Sequence, residues 1–138
     1  DAKRLGIKLY SSDEKSVSGS EKKLPHVIPN PNTILQFARS GWGSVWLSMI
    51  SGTPLVVPDF DPKDDPEIYF NNLAVESLGI GIIYRGQPLE EILAEVPRLK
   101  ANSKKLCDKI LQRWGTLDGN KYCAKLFADD FLKVEKAI

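Results

Sequence analysis

The junction between residues 34 and 50 constrains this chain more than any other stretch. A β-like run, Ile34 to Ala38, passes through Arg39-Ser40-Gly41-Trp42-Gly43-Ser44 into an apolar, helix-like run, Val45 to Ile50. Two glycines at a strand-to-helix turn let the backbone approach a ligand closely, because no Cβ intervenes. The free N–H groups that open the following helix can then receive an anion, typically a phosphate. The sequel strengthens the pattern: Gly52-Thr53-Pro54-Leu55-Val56-Val57-Pro58, an acidic loop, and a second helix start at Pro66.

Strand-like and helix-like segments alternate through the rest of the chain. Leu5, Ile7 and Leu9 alternate with Gly6, Lys8 and Tyr10, which predicts a strand over residues 4–10. Residues 11–24 are polar and predict a mobile loop. His26-Val27-Ile28 is a short apolar piece stopped by the turn-rich Pro29-Asn30-Pro31-Asn32. Ile34 to Ala38 reads as a buried strand, and Gly43 to Ser51 as a short, almost wholly apolar helix enclosed by its neighbours, with Gly52 as its C-terminal cap. Trp42 and Trp46, four apart, read mainly as core. Leu55 to Val57 is a continuous apolar strand, as expected in a parallel sheet covered on both faces.

Pro66 suits the first position of a helix whose face gathers Ile68, Asn71, Asn72, Val75 and Gly79. Two asparagines on such a face need partners, and the turn above the helix is the natural place for them. Ile80 to Tyr84 is the next strand. A short helix, Leu89 to Val96, should break at Pro97. A longer one then follows, carrying Leu99, Leu106, Ile110 and Trp114 on one face. The last helix, residues 119–136, should turn Cys123, Phe127, Phe131 and Val134 inward. The alternation predicts an α/β fold: a Rossmann-like open parallel sheet flanked by helices, with ligands beyond the carboxyl ends of the strands.

At 138 residues the chain suits a single domain. A net charge of +1 supplies no global field for nucleic acid or a membrane surface. No apolar run approaches the roughly 20 residues that a membrane span needs, and no signal-peptide pattern opens the chain. A cytoplasmic protein is therefore expected. Cys107 and Cys123 lack metal-ligand spacing and His26 is the only histidine, so no metal is expected. Reduced thiols fit that setting, with a disulfide between the two left open. A strand-like start at Asp1 predicts a fragment of a larger two-domain protein.

Several residues could carry chemistry. The N–H groups of Gly43, Ser44 and Val45, with the Ser44 hydroxyl, could hold a diphosphate; equally, Ser40 or Ser44 could merely cap the helix. Among Asp59, Asp61, Asp64, Asp65 and Glu67, carboxylates could accept hydrogen bonds from sugar hydroxyls, while Asp64 or Asp65 could simply cap the next helix. The turn is neither a Walker A loop nor a full G-x-G-x-x-G, and G-x-S-x-G is absent.

As an ordered series, Ser40-Gly41-Trp42-Gly43-Ser44, the Thr53 to Pro58 strand, Asp64-Asp65-Pro66, and Asn71 followed by Leu78-Gly79-Ile80-Gly81 resemble the C-terminal, donor-binding domain of GT-B glycosyltransferases. The resemblance spans roughly residues 34–84. It implies diphosphate contacts from Ser40, Gly41, Trp42, Gly43, Ser44 and Val45. It implies donor-sugar contacts from Asp64-Asp65, with Glu67 as substitute, and a base-reading loop near His26 and Ile28. Trp42 stands where the family carries its second glycine. A Glu-x7-Glu pattern is absent around Glu67, which tilts toward the inverting branch.

The implied function is binding a nucleotide-diphosphate sugar as substrate, with no other cofactor, for transfer to an acceptor held by an N-terminal domain or partner subunit. The isolated domain should show no turnover, and no catalytic residue is assigned. Alternatives are a domain like those of sugar-nucleotide epimerases, a non-catalytic subunit of a split transferase, or an α/β domain whose glycine turn only makes a corner.

Overall fold

The computed structural model describes residues 2–11, 21–22 and 32–135. Nine elements follow one another among them. The strands are β1 (Tyr10–Ser11), β2 (Glu21–Lys22), β3 (Gln36–Phe37), β4 (Leu55–Pro58) and β5 (Gly81–Tyr84). The helices are α1 (Trp42–Ser51), α2 (Pro66–Ser77), α3 (Leu89–Trp114) and α4 (Gly119–Glu135). β3, β4 and β5 form a parallel sheet in chain order, joined through α1 and α2. A small parallel pair, β1 with β2, stands apart from it. The chain is thus mixed α/β around a small, open, parallel sheet.

Leu55, Val56 and Val57 make the uninterrupted apolar run of a central strand, and all three are buried. Register sets Leu55 beside Gly81 and Val57 beside Ile83, so these four share one face. There Leu55, Val57 and Ile83 pack with Ile80 and with Val75 of α2, and Val45 of α1 and Leu106 of α3 close over them. Burial of each such side chain stabilises the fold by about 1.5–3 kcal/mol. Gly81 is dictated by this packing: a Cβ there would meet the Leu55 carbonyl and would lie 2.5 Å from Val75 Cγ1.

Several expectations need correction. Residues 4–10 do not form one strand. Leu5 N–H donates to the Ala2 carbonyl (3.1 Å) and Gly6, at φ 67°, closes a turn, so pairing begins only at Tyr10. Ser11 and residues 21–22 of the expected loop are paired strand, and the rest of that loop lies outside the described residues. β3 is two residues long and not buried, with Phe37 58% exposed. α1 is only partly enclosed: Trp42 is 72% exposed, and Trp46 and Ile50 also reach the surface. Its left-handed Gly52 cap is as expected, returning N–H to the Ser48 and Met49 carbonyls.

Pro97 does not end a helix. α3 runs continuously through it, the ring facing solvent while Ile92 and Leu99 anchor both sides in the core. Trp114, at its end, is exposed. α4 does not bury the expected stripe either: Cys123, Phe127 and Phe131 all face outward. It joins the body at its first turn, where Tyr122 meets Trp114 edge-on at 5.3 Å. These two line an apolar recess of about 320 Å³ with Trp46, Ile110 and Leu117.

Both cysteines are free thiols. Cys107 is half-buried, its Sγ 3.5 Å from the Met49 carbonyl; burial, and then the neighbouring Asp108 carboxylate, push its pKa up. Cys123 is exposed. Iodoacetamide near neutral pH should therefore alkylate Cys123 well before Cys107, as followed by mass spectrometry; equal rates would contradict this packing. Gly81→Ala should cost about 1–3 kcal/mol in urea unfolding, because neither the Leu55 backbone nor Val75 can give way freely.

Candidate functional site

Two helix N-termini meet beyond the carboxyl ends of β3 and β4, and they differ in chemistry. α2 is capped by sequence. The Asp65 side chain accepts from Ile68 N–H (3.1 Å), Pro66 removes one donor, and Glu67 places a carboxylate in the first turn. The N-cap of α1 is Gly41, which has no side chain to cap it, and the helix carries no acidic residue in its first turn. Its first closed bond runs from Val45 N–H to the Gly41 carbonyl (3.0 Å). The N–H groups of Trp42, Gly43 and Ser44 therefore have no partner within the helix.

Buried polar bonds fix the position of this bare end. Ser40 is fully buried, and its Oγ donates to Asn72 Oδ1 (2.6 Å). Asn72 Nδ2 donates in turn to the Pro58 carbonyl (2.7 Å), and Asn71 Nδ2 to the Ser40 carbonyl (2.8 Å). The glycine turn, the end of β4 and the middle of α2 are thereby tied together. The two asparagines find the partners that a buried helical face requires.

Between the helix ends lies an open cleft of about 450 Å³, lined by Arg39, Gly41, Ser44, Asp65, Glu67 and Ile68. Arg39 forms an ion pair with Asp65 Oδ2 and sits 5.5 Å from the centre of the Phe60 ring. Asp65 is thus engaged through both oxygens, one capping α2 and one holding Arg39. Glu67 is exposed, and so is Asp64. Glycine at 41 and 43 leaves the approach clear: a Cβ at either position would meet nothing within 4 Å.

The structure brings Gly41, Ser44, Asp65 and Glu67 to one cleft, as their sequence positions led us to expect. It sets other candidates apart. Ser40 faces inward and is consumed by Asn72, so its hydroxyl is not a ligand group. Neither Ser40 nor Ser44 caps α1. Trp42 projects into solvent and does not serve as core. Asp64 is not among the residues lining the cleft, and Asp65 is the helix cap. His26 and Ile28 lie outside the described residues. Arg39 is the cleft residue that sequence reasoning did not assign; its signal was a single cation preceding the glycine turn and matched by the acidic loop after β4. Among the described residues, no group of three His, Cys, Asp or Glu is placed to hold a metal ion.

Compared with protein-family models, curated proteins and solved structures, the chain matches none.

Asn72→Ala should destabilise the fold by about 1–3 kcal/mol in chemical unfolding, since it takes the nearer acceptor from Ser40 Oγ, leaving it the Ile68 carbonyl at 3.2 Å, and removes the donor to the Pro58 carbonyl. In that background Ser40→Ala should cost much less than it does alone. Additive losses would show that the two side chains act separately.

Proposed function

We propose that this domain binds the diphosphate of a nucleotide sugar at the N-terminus of α1, as the donor-binding part of a glycosyltransferase. One observation carries the reading: an uncapped helix N-terminus, flanked by glycines, opens into a cleft at the carboxyl edge of a parallel sheet. Bare N–H groups and the positive end of the helix dipole favour a phosphate there. Arg39 adds the cleft's cation. Pairing with Asp65 keeps it beside the turn, and its side chain is 61% exposed and within reach of an incoming anion.

The chemistry that such a site supplies is electrostatic. As a glycosyl bond breaks, negative charge grows on the departing diphosphate, and fixed backbone donors offset it without reorganising. Glu67, at the far side of the cleft, is the carboxylate free to accept hydrogen bonds from the donor sugar, because both Asp65 oxygens are engaged. The acceptor and the group that activates it belong, on this proposal, to an N-terminal domain or partner subunit.

Titration with UDP, GDP and dTDP, followed by NMR, should shift the Gly41, Gly43 and Ser44 amides. Gly43→Asp adds a negative charge to the first turn of α1, beside the proposed phosphate site, and open space around residue 43 lets the fold accept it. It should weaken nucleotide binding at least about tenfold, or roughly 1.4 kcal/mol. Gly43→Ala should leave affinity nearly unchanged. Equal affinity for Gly43→Asp and the parent protein would sink the phosphate assignment.

A further inference from the structure

We propose that the second half of α3, with α4, forms a docking surface for an anionic lipid bilayer. The whole chain carries a net charge of only +1, but residues 98–135 hold nine Lys or Arg against five Asp or Glu, and the surplus lies in the second half of α3, where residues 98–114 hold six against one. Much of that surplus is ordered into a row. Lys105, Lys109 and Arg113 follow one another at four-residue spacing on α3, and all three are exposed. Like charges so spaced repel along a helix. The nearest carboxylates on α3 are already engaged: Asp108, next in sequence to Lys109, bonds Lys104 at 2.6 Å, and Glu95 bonds Arg98 at 2.6 Å. Among the described residues, Lys105, Lys109 and Arg113 form no ion pair. A row of cations left without internal counter-charge is complementary to an external anionic surface.

Apolar groups accompany the row. The Arg113 guanidinium lies 4.8 Å over the ring of Trp114, itself exposed at the end of α3. On α4, Phe127 and Phe131 stand one turn apart and are 77% and 68% exposed. A cation row ending at an exposed tryptophan, with exposed phenylalanines on the helix that follows, has the composition of surfaces that settle at a lipid–water boundary, with rings entering and cations meeting head groups. Nucleic-acid grips favour the bidentate arginine fork, whereas this row is mostly lysine. The surface is independent of the cleft: Cys107 binds α3 to the Met49 carbonyl, near the end of α1 away from its uncapped N-terminus.

The test is co-sedimentation of the full chain with phosphatidylcholine vesicles, with and without phosphatidylserine, alongside tryptophan emission. Binding should require phosphatidylserine, blue-shift the emission and fall as salt rises. Lys105→Glu/Lys109→Glu should weaken it at least about tenfold. Phe127→Ser/Phe131→Ser should remove the part that survives high salt. These side chains are exposed, so circular dichroism should show both variants folded. The proposal fails if phosphatidylserine confers no binding, or if the charge-reversal variant binds like the parent. It also fails if a single-stranded oligonucleotide binds this surface more tightly than the vesicles do, which would assign it to nucleic acid.

Discussion

The hydrogen bond from Ser40 to Asn72 governs the geometry on which everything else rests. Both side chains are buried, and a polar group removed from water demands a partner or costs about 1–3 kcal/mol. Here Ser40 Oγ donates to Asn72 Oδ1, with the Ile68 carbonyl of α2 as a second acceptor at 3.2 Å, while Asn72 also holds the Pro58 carbonyl and Asn71 the Ser40 carbonyl. The turn after β3, the end of β4 and α2 cannot slide past one another without orphaning several of these groups. With the turn so pinned, α1 begins where it does, beside the cleft that Gly41 and Ser44 help to line.

Legibility in the sequence followed the amount of tertiary context each element requires. β4, the Gly52 cap, Asp65-Pro66 and the strand after Gly79 were readable, because apolar continuity and cap chemistry are local properties. So were the asparagines, since a polar pair on a buried face implies its own partners. Residues 4–10 misled because alternation of Leu5, Ile7 and Leu9 says nothing of whether a neighbouring strand exists. Pro97 misled because a proline ring facing solvent removes a single bond, and anchors at Ile92 and Leu99 outweigh that loss. Trp42, Phe127 and Phe131 misled for one shared reason: a hydrophobic side chain fits a core only if another element arrives to cover it.

The candidate cleft was half visible. Gly41, Ser44, Asp65 and Glu67 could be grouped because strand-to-helix turns of a parallel sheet converge at one edge. Two features could not be seen. Asp65 divides its carboxylate between α2 and Arg39, which leaves Glu67 as the accessible acid. The cation surplus on the second half of α3 vanished in a chain-wide average, because acidic residues elsewhere, including those of the helix's own first half, cancel it. Net charge is a property of a sequence; a field is a property of where the folded backbone puts each group.

Pro97 also makes α3 a helix of two unequal parts. The helix spans about 39 Å at 1.5 Å per residue, yet at this position the Leu93 carbonyl lacks the N–H that would normally close its turn. The shorter part is anchored by Ile92, the longer by Leu99 and Leu106, and the backbone ladder between them is one rung short. Because Ile92 and Leu99 are buried on either side of the missing rung, side-chain packing holds the two parts in one line where the backbone ladder does not.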